Sequence, residues 1–258
     1  MNCKTVSFFF FNYSERFFIC AVERIAKIDV YILLSTVNFS TLLNLNILKK
    51  KVLNLHAGLG GNAKKWDRDI YEVTAVELEP KIAKVYQDQF KNDTVIIGDA
   101  MEYLKEHRNE FDFIWASPPC QKHSRMMKAT RHDVADFFDP SLYQIIIFLT
   151  HFYHGKWCVE NVKPYYEPLI KPTCKMGRHY FWANFDIIPI EIPNIKGFIT
   201  NGSKEETQKM KDWLGIQYEG NIYYKNNHCP GQVLRNCVHP EVGLHILNES
   251  KREGLFVF

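Results

Sequence analysis

One stretch of the chain, residues 111–121, constrains the fold more than any other. Its residues 112–115, which are apolar after Asp112, predict a short buried strand, and Ser117-Pro118-Pro119 ends that strand abruptly. Proline fixes φ and has no backbone N–H, so two consecutive prolines cannot continue a central strand. The loop that follows presents Cys120 at the carboxyl end of a strand, where open α/β sheets place their ligand crevices. Cys120 is therefore a candidate nucleophile, and the alternative is a buried structural cysteine.

Length and composition indicate a globular protein with one large domain. The chain has 258 residues, of which 46% are hydrophobic and 24% are charged, and its formal net charge is +3. So small a net charge excludes a general attraction to polyanions, so any nucleic-acid surface must be a local patch. The seven cysteines are scattered without a disulfide framework, which favours a reducing, cytoplasmic location. The Cys and His residues near the C-terminus match no common zinc-finger spacing, so we expect no metal.

The first 48 residues are unlike the rest of the chain. They contain four consecutive phenylalanines at 8–11 and an uncharged stretch at 30–48. Serine, threonine and asparagine dilute that stretch too heavily for a membrane span, and no compact cleavage site of a secretory signal follows an apolar core. We interpret residues 1–48 as an N-terminal extension that is dispensable for folding.

From residue 51 onward, the pattern predicts alternating strands and helices. Strands are predicted at 51–55, 72–76 and 94–97, with helices beginning near Asn62 and spanning 80–90. The first strand leads into a glycine-rich turn, residues 56–61, that lets backbone N–H groups approach a ligand. The next two strands end in Glu77 and Asp99. An acid at the first of these positions binds ribose hydroxyls in nucleotide-binding folds, and Asp99 could accept a hydrogen bond from an adenine amino group.

A basic loop follows Cys120. Its cationic residues are Lys122, Arg125, Lys128 and Arg131. They could contact phosphates, or they could form an ordinary solvated loop. A helix is predicted over 140–152, and the next strand, 157–162, carries Glu160 near its end. A carboxyl group in such apolar surroundings favours its neutral form, which suits a proton donor.

These residues together resemble the DNA cytosine-5 methyltransferase family, and the resemblance covers residues 51–247. The glycine-rich turn resembles the first S-adenosylmethionine-binding motif, with His56 where phenylalanine is usual. Pro118-Pro119-Cys120-Gln121 resembles the motif that contains the nucleophile, and Glu160-Asn161-Val162 resembles the motif whose glutamate engages the cytosine ring. Residues 232–238 resemble the last motif, which completes the cofactor pocket, with Arg235 in place of the usual glycine.

The resemblance implies a fold and a domain organisation. We expect an α/β, Rossmann-like S-adenosylmethionine-dependent methyltransferase fold, with a mostly parallel twisted sheet, helices on both faces and a small irregular target-recognition region. The expected parts are the extension at 1–48, a catalytic and cofactor-binding domain at 49–185, the target-recognition region at 186–230 and a C-terminal return at 231–258. Within the third part, Ser203 and Glu206 predict a capping box for a helix at 204–214.

The resemblance also implies the site residues. The catalytic residues are Cys120, Glu160 and Arg178. The cofactor-binding residues are His56, Ala57, Gly58, Gly60, Gly61, Glu77, Leu78, Asp99, Ala100, Pro118, Asn236 and Val238. The DNA-binding residues are Gln121, Lys122, Ser124, Arg125 and Lys128. The expected cofactor is S-adenosylmethionine, and the expected partner of the monomeric enzyme is double-stranded DNA. Because the target-recognition region is short and can reach few base edges, we expect a recognition site of about two to four base pairs.

One motif departs from the family pattern. The eighth motif has a glutamine and two arginines at alternate positions, and here Cys174, Met176 and Arg178 occupy that frame. Only Arg178 is carried over, and the same alternation is also typical of a plain strand.

The implied reaction begins with addition of the Cys120 thiolate to C6 of a flipped-out cytosine, which makes C5 nucleophilic toward the methyl donor. Three other functions stay open. They are an amino-group methyltransferase, for which Ser117-Pro118-Pro119 would fit but Cys120 would not; a tRNA cytosine-5 methyltransferase; and a binding module without catalytic activity.

Overall fold

The computed structural model describes residues 49–124, 139–192, 203–224 and 229–252, so the extension at 1–48 lies outside the described residues. The described part forms one sheet of seven strands in the order β3-β2-β1-β4-β5-β7-β6. The strands are β1 (Lys50–Leu55), β2 (Tyr71–Glu77), β3 (Thr94–Ile97), β4 (Phe113–Ala116), β5 (Lys156–Val162), β6 (Cys174–Met176) and β7 (His179–Ala183). The α-helices are α1 (Pro80–Gln89), α2 (Ala100–His107), α3 (Ser141–Phe152), α4 (Lys204–Leu214), α5 (Gly231–Arg235) and α6 (Pro240–Glu249).

The strand order creates a crevice at one edge of the sheet. Strands β1 to β5 run parallel, and β7 is antiparallel to both of its neighbours. The chain moves outward from β1 to β3 and then returns to place β4 on the other side of β1. The carboxyl ends of β1 and β4 therefore meet at a topological switch point, which is where open α/β sheets bind ligands.

Helices cover both faces of the sheet. On one face, Leu53, Ile114 and Val159 pack against helices α2 and α3. On the other face, Val52 and Trp115 pack against helix α6. All four residues of β4 are buried, as expected for a parallel strand covered on both sides. The predicted fold class, a Rossmann-like α/β fold with a mostly parallel sheet, is confirmed.

One predicted helix is wrong. Residues 61–65, expected to begin a helix near Asn62, form consecutive turns. The Asn62 side chain donates to Asn54 Oδ1 at 2.9 Å. The Arg68 guanidinium donates to the carbonyl oxygens of Ala63 and Trp66, at 2.5 and 2.7 Å, which a continuing helix would use for its own hydrogen bonds. Long-range polar contacts therefore outweigh the local pattern.

The predicted capping box and helix at 204–214 are confirmed. Ser203 Oγ accepts from Glu206 N, and the Glu206 side chain accepts from Ser203 N. Met210 and Leu214 of this helix, α4, share a buried cluster with Leu59 and Ile82. The helix thus packs against the loop after β1. Residues 193–202 and 225–228 of the predicted target-recognition region lie outside the described residues, and its boundaries stay a prediction.

Candidate active site

A cavity of about 710 Å³ lies at the switch point. The segments after β1, β2, β3 and β4 and the carboxyl end of β5 all contribute to its wall, together with residues of and around α5. Its volume is in the usual range for small-molecule sites, roughly 300–1,000 Å³. All the predicted cofactor-binding residues line it except Gly60. The sheet topology therefore gathers in one cavity residues that are up to 182 positions apart in sequence.

The turn after β1 is shaped by unusual backbone conformations. His56 has a φ of +54°, which is uncommon for a residue other than glycine, and Gly60 has a φ of +76°. A Cβ at Gly60 would lie 2.5 Å from the Phe90 ring, and one at Gly61 would lie 2.6 Å from the Val238 carbonyl oxygen. Gly60 thus packs beneath the cavity wall, which explains its absence from the lining, and Gly61 lets the C-terminal segment reach the turn.

Glu77 holds the turn after β1 in place. Its carboxylate accepts from Gly58 N at 2.8 Å and from Glu79 N at 3.0 Å. Burial raises the pKa of Glu77, and these backbone hydrogen bonds oppose that rise. A carboxylate has about four lone-pair sites, so ribose hydroxyls can still bind beside the two backbone donors.

Asp99 has a structural role in addition to the predicted one. It is the N-cap of α2, and its Oδ1 accepts from Met101 N and Glu102 N at 2.8 and 3.0 Å. Asp99 also lines the cavity. Its second carboxylate oxygen is the one that could accept from an adenine amino group.

Cys120 lies in the cavity wall as a half-buried free thiol. Its Sγ donates a long hydrogen bond, 3.8 Å, to Asn236 Oδ1. Burial and the negative charge of Glu160 raise the pKa of Cys120 to about 11, against the opposing influence of Arg178. The thiol is therefore neutral at pH 7 in this state of the protein.

Glu160 is buried beside the same cavity, with 4% of its surface exposed. Burial raises its pKa to about 7, opposed by a hydrogen bond from Ser117 and by the positive charge of Arg178. His179 Nε2 lies 3.7 Å from Glu160 Oε1, and burial lowers the pKa of His179 to about 3. His179 is thus neutral and does not neutralise the carboxylate. The Glu160 carboxyl group can therefore donate or accept a proton near neutral pH.

Arg178 lies in a turn and not in a strand. The strand that contains the other two positions of the eighth motif, Cys174 and Met176, ends at Met176. Cys174 and Met176 are buried on β6 and pack in the core. Gly177 and Arg178 form the two-residue connection between β6 and β7, and Gly177 has a φ of +57°, as in a type II′ hairpin turn. Arg178 does not line the cavity, but its charge acts on both Cys120 and Glu160.

The predicted DNA-binding residues are only partly described. Gln121 lines the cavity, Gln121 and Lys122 are exposed, and Ser124 forms an isolated β-bridge with Pro164. Arg125 and Lys128 lie outside the described residues.

Sequence reasoning missed several residues of the cavity wall. Asp139, Ser141 and Tyr224 all line it. His56 Nδ1 and Ser141 Oγ are buried, and neither has a hydrogen-bond partner among the described residues. Two such polar atoms in a cavity wall are available to a polar ligand. Asn161 was missed in another role, since its Nδ2 donates to the Pro118 carbonyl oxygen at 3.0 Å and ties the proline-rich loop to β5.

No group of three or more His, Cys, Asp or Glu side chains among the described residues could hold a metal ion. No helix there is both long and apolar enough to span a membrane.

The fold is the Rossmann-like fold of S-adenosylmethionine-dependent methyltransferases. The family model described as C-5 cytosine-specific DNA methylase matches residues 50–166, from β1 to just beyond β5. The matched part of the chain includes Cys120 and Glu160 and is similar to that family. No curated protein matches the chain.

Solved structures show a distant similarity. A SAM-dependent methyltransferase from Agrobacterium tumefaciens is 17% identical with a TM-score of 0.35, over 46% of this chain and 40% of that chain. A mutant of Spodoptera frugiperda DNMT2 is 25% identical with a TM-score of 0.32, over 45% of this chain and 36% of that chain. A conserved hypothetical protein of Streptococcus pyogenes is 17% identical with a TM-score of 0.37, over 52% and 84% of the two chains. At these TM-scores the similarities carry no argument about the function of this chain.

Proposed function

We propose that this protein transfers a methyl group from S-adenosylmethionine to C5 of a flipped-out cytosine in duplex DNA, through a covalent bond between Cys120 and C6. The main support is that one cavity brings together a thiol, Cys120, and a buried carboxyl group, Glu160, with a pKa of about 7. A nucleophile and a proton donor in one cavity are what addition across a pyrimidine ring requires.

The residues of the cavity fit the proposed cofactor. The Gly58 turn would hold the amino-acid portion, Glu77 the ribose hydroxyls and Asp99 the adenine amino group. The buried Nδ1 of His56 and Oγ of Ser141, without partners among the described residues, supply further polar contacts. S-adenosylmethionine, when bound, supplies a methyl group activated by its sulfonium charge.

Cys120 must lose its proton before it can add to C6. Its raised pKa means that the thiolate is scarce at pH 7, and Arg178 is the positive charge that favours it. Glu160 is the neighbouring anion that disfavours it, so protonation of Glu160 removes the repulsion. A protonated Glu160 can then hydrogen-bond N3 of the ring and stabilise the charge that develops as the thiolate adds. After C5 has accepted the methyl group, loss of the C5 proton to a base allows β-elimination of Cys120.

The target base must leave the DNA helix to reach these groups. Glu160 is buried and Cys120 is half-buried, so a stacked cytosine has no access to either. Extrusion of a base costs a few kcal/mol, which contacts in the cavity must offset.

Trapping with 5-fluorocytosine tests the proposal. Because fluorine cannot leave C5 as a cation, elimination is blocked after methyl transfer, and the protein should stay bound to a fluorinated DNA duplex through denaturing electrophoresis. Trapping should need S-adenosylmethionine and should be lost in Cys120→Ser, because a hydroxyl is a far poorer nucleophile than a thiolate. Cys229→Ser is the matched control, since Cys229 is also half-buried but does not line the cavity.

A second set of reactions identifies the substrate. Parallel reactions with unmodified DNA and RNA, followed by nucleoside mass analysis, distinguish 5-methylcytosine in DNA from 5-methylcytosine in RNA and from N4-methylcytosine or N6-methyladenine. Trapping that persists in Cys120→Ser would refute the covalent role of Cys120. Methylation of RNA alone, or of an amino group, would refute the proposed substrate.

A further inference from the structure

His123, three residues after Cys120, is buried although its loop begins at the surface. Gln121 and Lys122 are exposed, whereas His123 has 0% of its surface exposed. Burying an imidazole is costly unless its polar atoms are bonded. The proposed reaction does not use His123, so its burial indicates a different role.

The His123 side chain joins the loop after β4 to the loop after β5. Its Nδ1 lies 2.6 Å from the Tyr166 hydroxyl, and its carbonyl oxygen accepts from Tyr165 N at 3.1 Å. The next residue, Ser124, forms the β-bridge with Pro164. The first of these loops carries Cys120, and the second continues directly from the strand that carries Glu160.

His123 belongs to a chain of hydrogen bonds. Leu169 N donates to the Tyr143 hydroxyl at 3.1 Å, and Tyr143 donates to the Tyr166 hydroxyl at 3.4 Å. The Tyr166 hydroxyl in turn is hydrogen-bonded to His123 Nδ1. Burial lowers the pKa of His123, which favours the neutral ring. Hydrogen bonds in such a chain strengthen one another.

The backbone of Cys120 is fixed by the same residues. The Cys120 carbonyl oxygen accepts from His123 N and from Ser124 N, both at 3.0 Å. The carbonyl group of Cys120 is thus hydrogen-bonded to the same two residues that contact the loop after β5.

We propose that His123 and Tyr166 form a clamp that positions Cys120 relative to Glu160. Neither residue lines the cavity, so both are positioning residues. Their catalytic consequence rests on the proposed function, but the clamp itself can be tested without it. Small errors in the placement of a reacting group cost as much as about 100-fold in rate, so loss of the clamp should slow methyl transfer by roughly 10- to 100-fold.

The direct readout is the alkylation rate of Cys120. Tyr166→Phe removes only a hydroxyl group, and His123→Phe removes the imidazole. Each should loosen the loop and raise the rate of Cys120 alkylation by iodoacetamide by roughly 5- to 10-fold relative to Cys229 in the same molecule. Peptide mass analysis measures both cysteines. The double variant should behave like either single variant, because both changes remove one hydrogen bond.

Tyr153→Phe is the matched control for general destabilisation. Its hydroxyl is also half-buried and donates to the Phe111 carbonyl oxygen at 2.9 Å, in the core under α3. It should lower the melting temperature without changing the ratio of Cys120 to Cys229 labelling. If His123→Phe does not fold, Tyr166→Phe alone decides the outcome.

Two results would overturn the clamp. One is Cys120 labelling within about twofold of the wild type in every folded variant. The other is an equal increase in Tyr153→Phe. If the wild type shows no methyl transfer, the proposed function fails, and the labelling ratio still decides whether the clamp exists.

Discussion

Replacing Glu160 with glutamine should have two opposite effects. The Cys120 thiol should become more reactive, whereas methyl transfer should become slower. Glu160 is the group whose negative charge raises the pKa of Cys120, and its influence exceeds the opposing one of Arg178. Glutamine keeps the size and removes the charge. The variant should therefore ionise Cys120 more easily, and its free thiol should become more reactive. Methyl transfer should nevertheless fall by roughly 10²–10⁴-fold, because the acid that we propose for the cytosine ring is lost.

The size of the thiol effect follows from the charges around Cys120. Its pKa rises from 9.0 to about 11, with burial as the larger cause and Glu160 as the second. Removal of one neighbouring anion should lower it by about one pH unit, which is tenfold more thiolate or about 1.4 kcal/mol. Arg178→Met should act in the opposite direction. The assay is the pH dependence of Cys120 alkylation between pH 6 and 10.5, measured by peptide mass analysis.

The result that refutes this reasoning is an alkylation pKa that is unchanged or higher in Glu160→Gln. Glu79→Gln is the matched control, because Glu79 lines the same cavity but does not act on Cys120. An equal response to both substitutions would mean that any charge in the cavity matters and that Glu160 has no particular coupling to the thiol.

Two further predictions concern the cofactor and stability. Asp99→Asn keeps an oxygen for the α2 cap but places an amide N–H where the adenine amino group would donate, so binding of S-adenosylhomocysteine should weaken by about 1–3 kcal/mol in titration calorimetry; unchanged affinity would contradict the assigned role. The second prediction rests on the pKa of Glu160, which is about 7 in the folded protein against 4.5 in a free side chain. Between these pH values the folded state retains a proton that the unfolded state loses. The free energy of unfolding therefore falls as the pH rises from about 4.5 to 7. Urea unfolding of Glu160→Gln should therefore show a gain over the wild type of up to about 3 kcal/mol at pH 8 and almost none at pH 4.5.

The sheet was predictable because its signals are local. Residues 113–115 are apolar, and the prolines that follow leave little choice of backbone conformation, so the strand must end there. The observed strand, Phe113–Ala116, agrees closely with that prediction. Helix α4 was predictable for the same reason, since its capping box involves two residues only three positions apart.

The errors arose where distant residues decide the structure. Asn62 follows a glycine-rich turn, yet its side chain donates to Asn54, and Arg68 donates to the nearby carbonyl groups. Ser141 and Tyr224 could not be recognised as cavity residues either. Neither belongs to a motif with a fixed spacing, and only the folded chain brings them to the cavity.

The strand order explains why both members of the proposed catalytic pair, Cys120 and Glu160, lie in the wall of one cavity. Strands β4 and β5 are parallel neighbours, so Cys120 and Glu160 leave the sheet at the same edge. The antiparallel β7 then brings the turn residue Arg178 to that edge from the opposite direction. Burial raises the pKa of both acids, which favours a neutral donor but disfavours the thiolate. The positive charge of Arg178, on the hairpin turn, opposes that rise in the pKa of both groups.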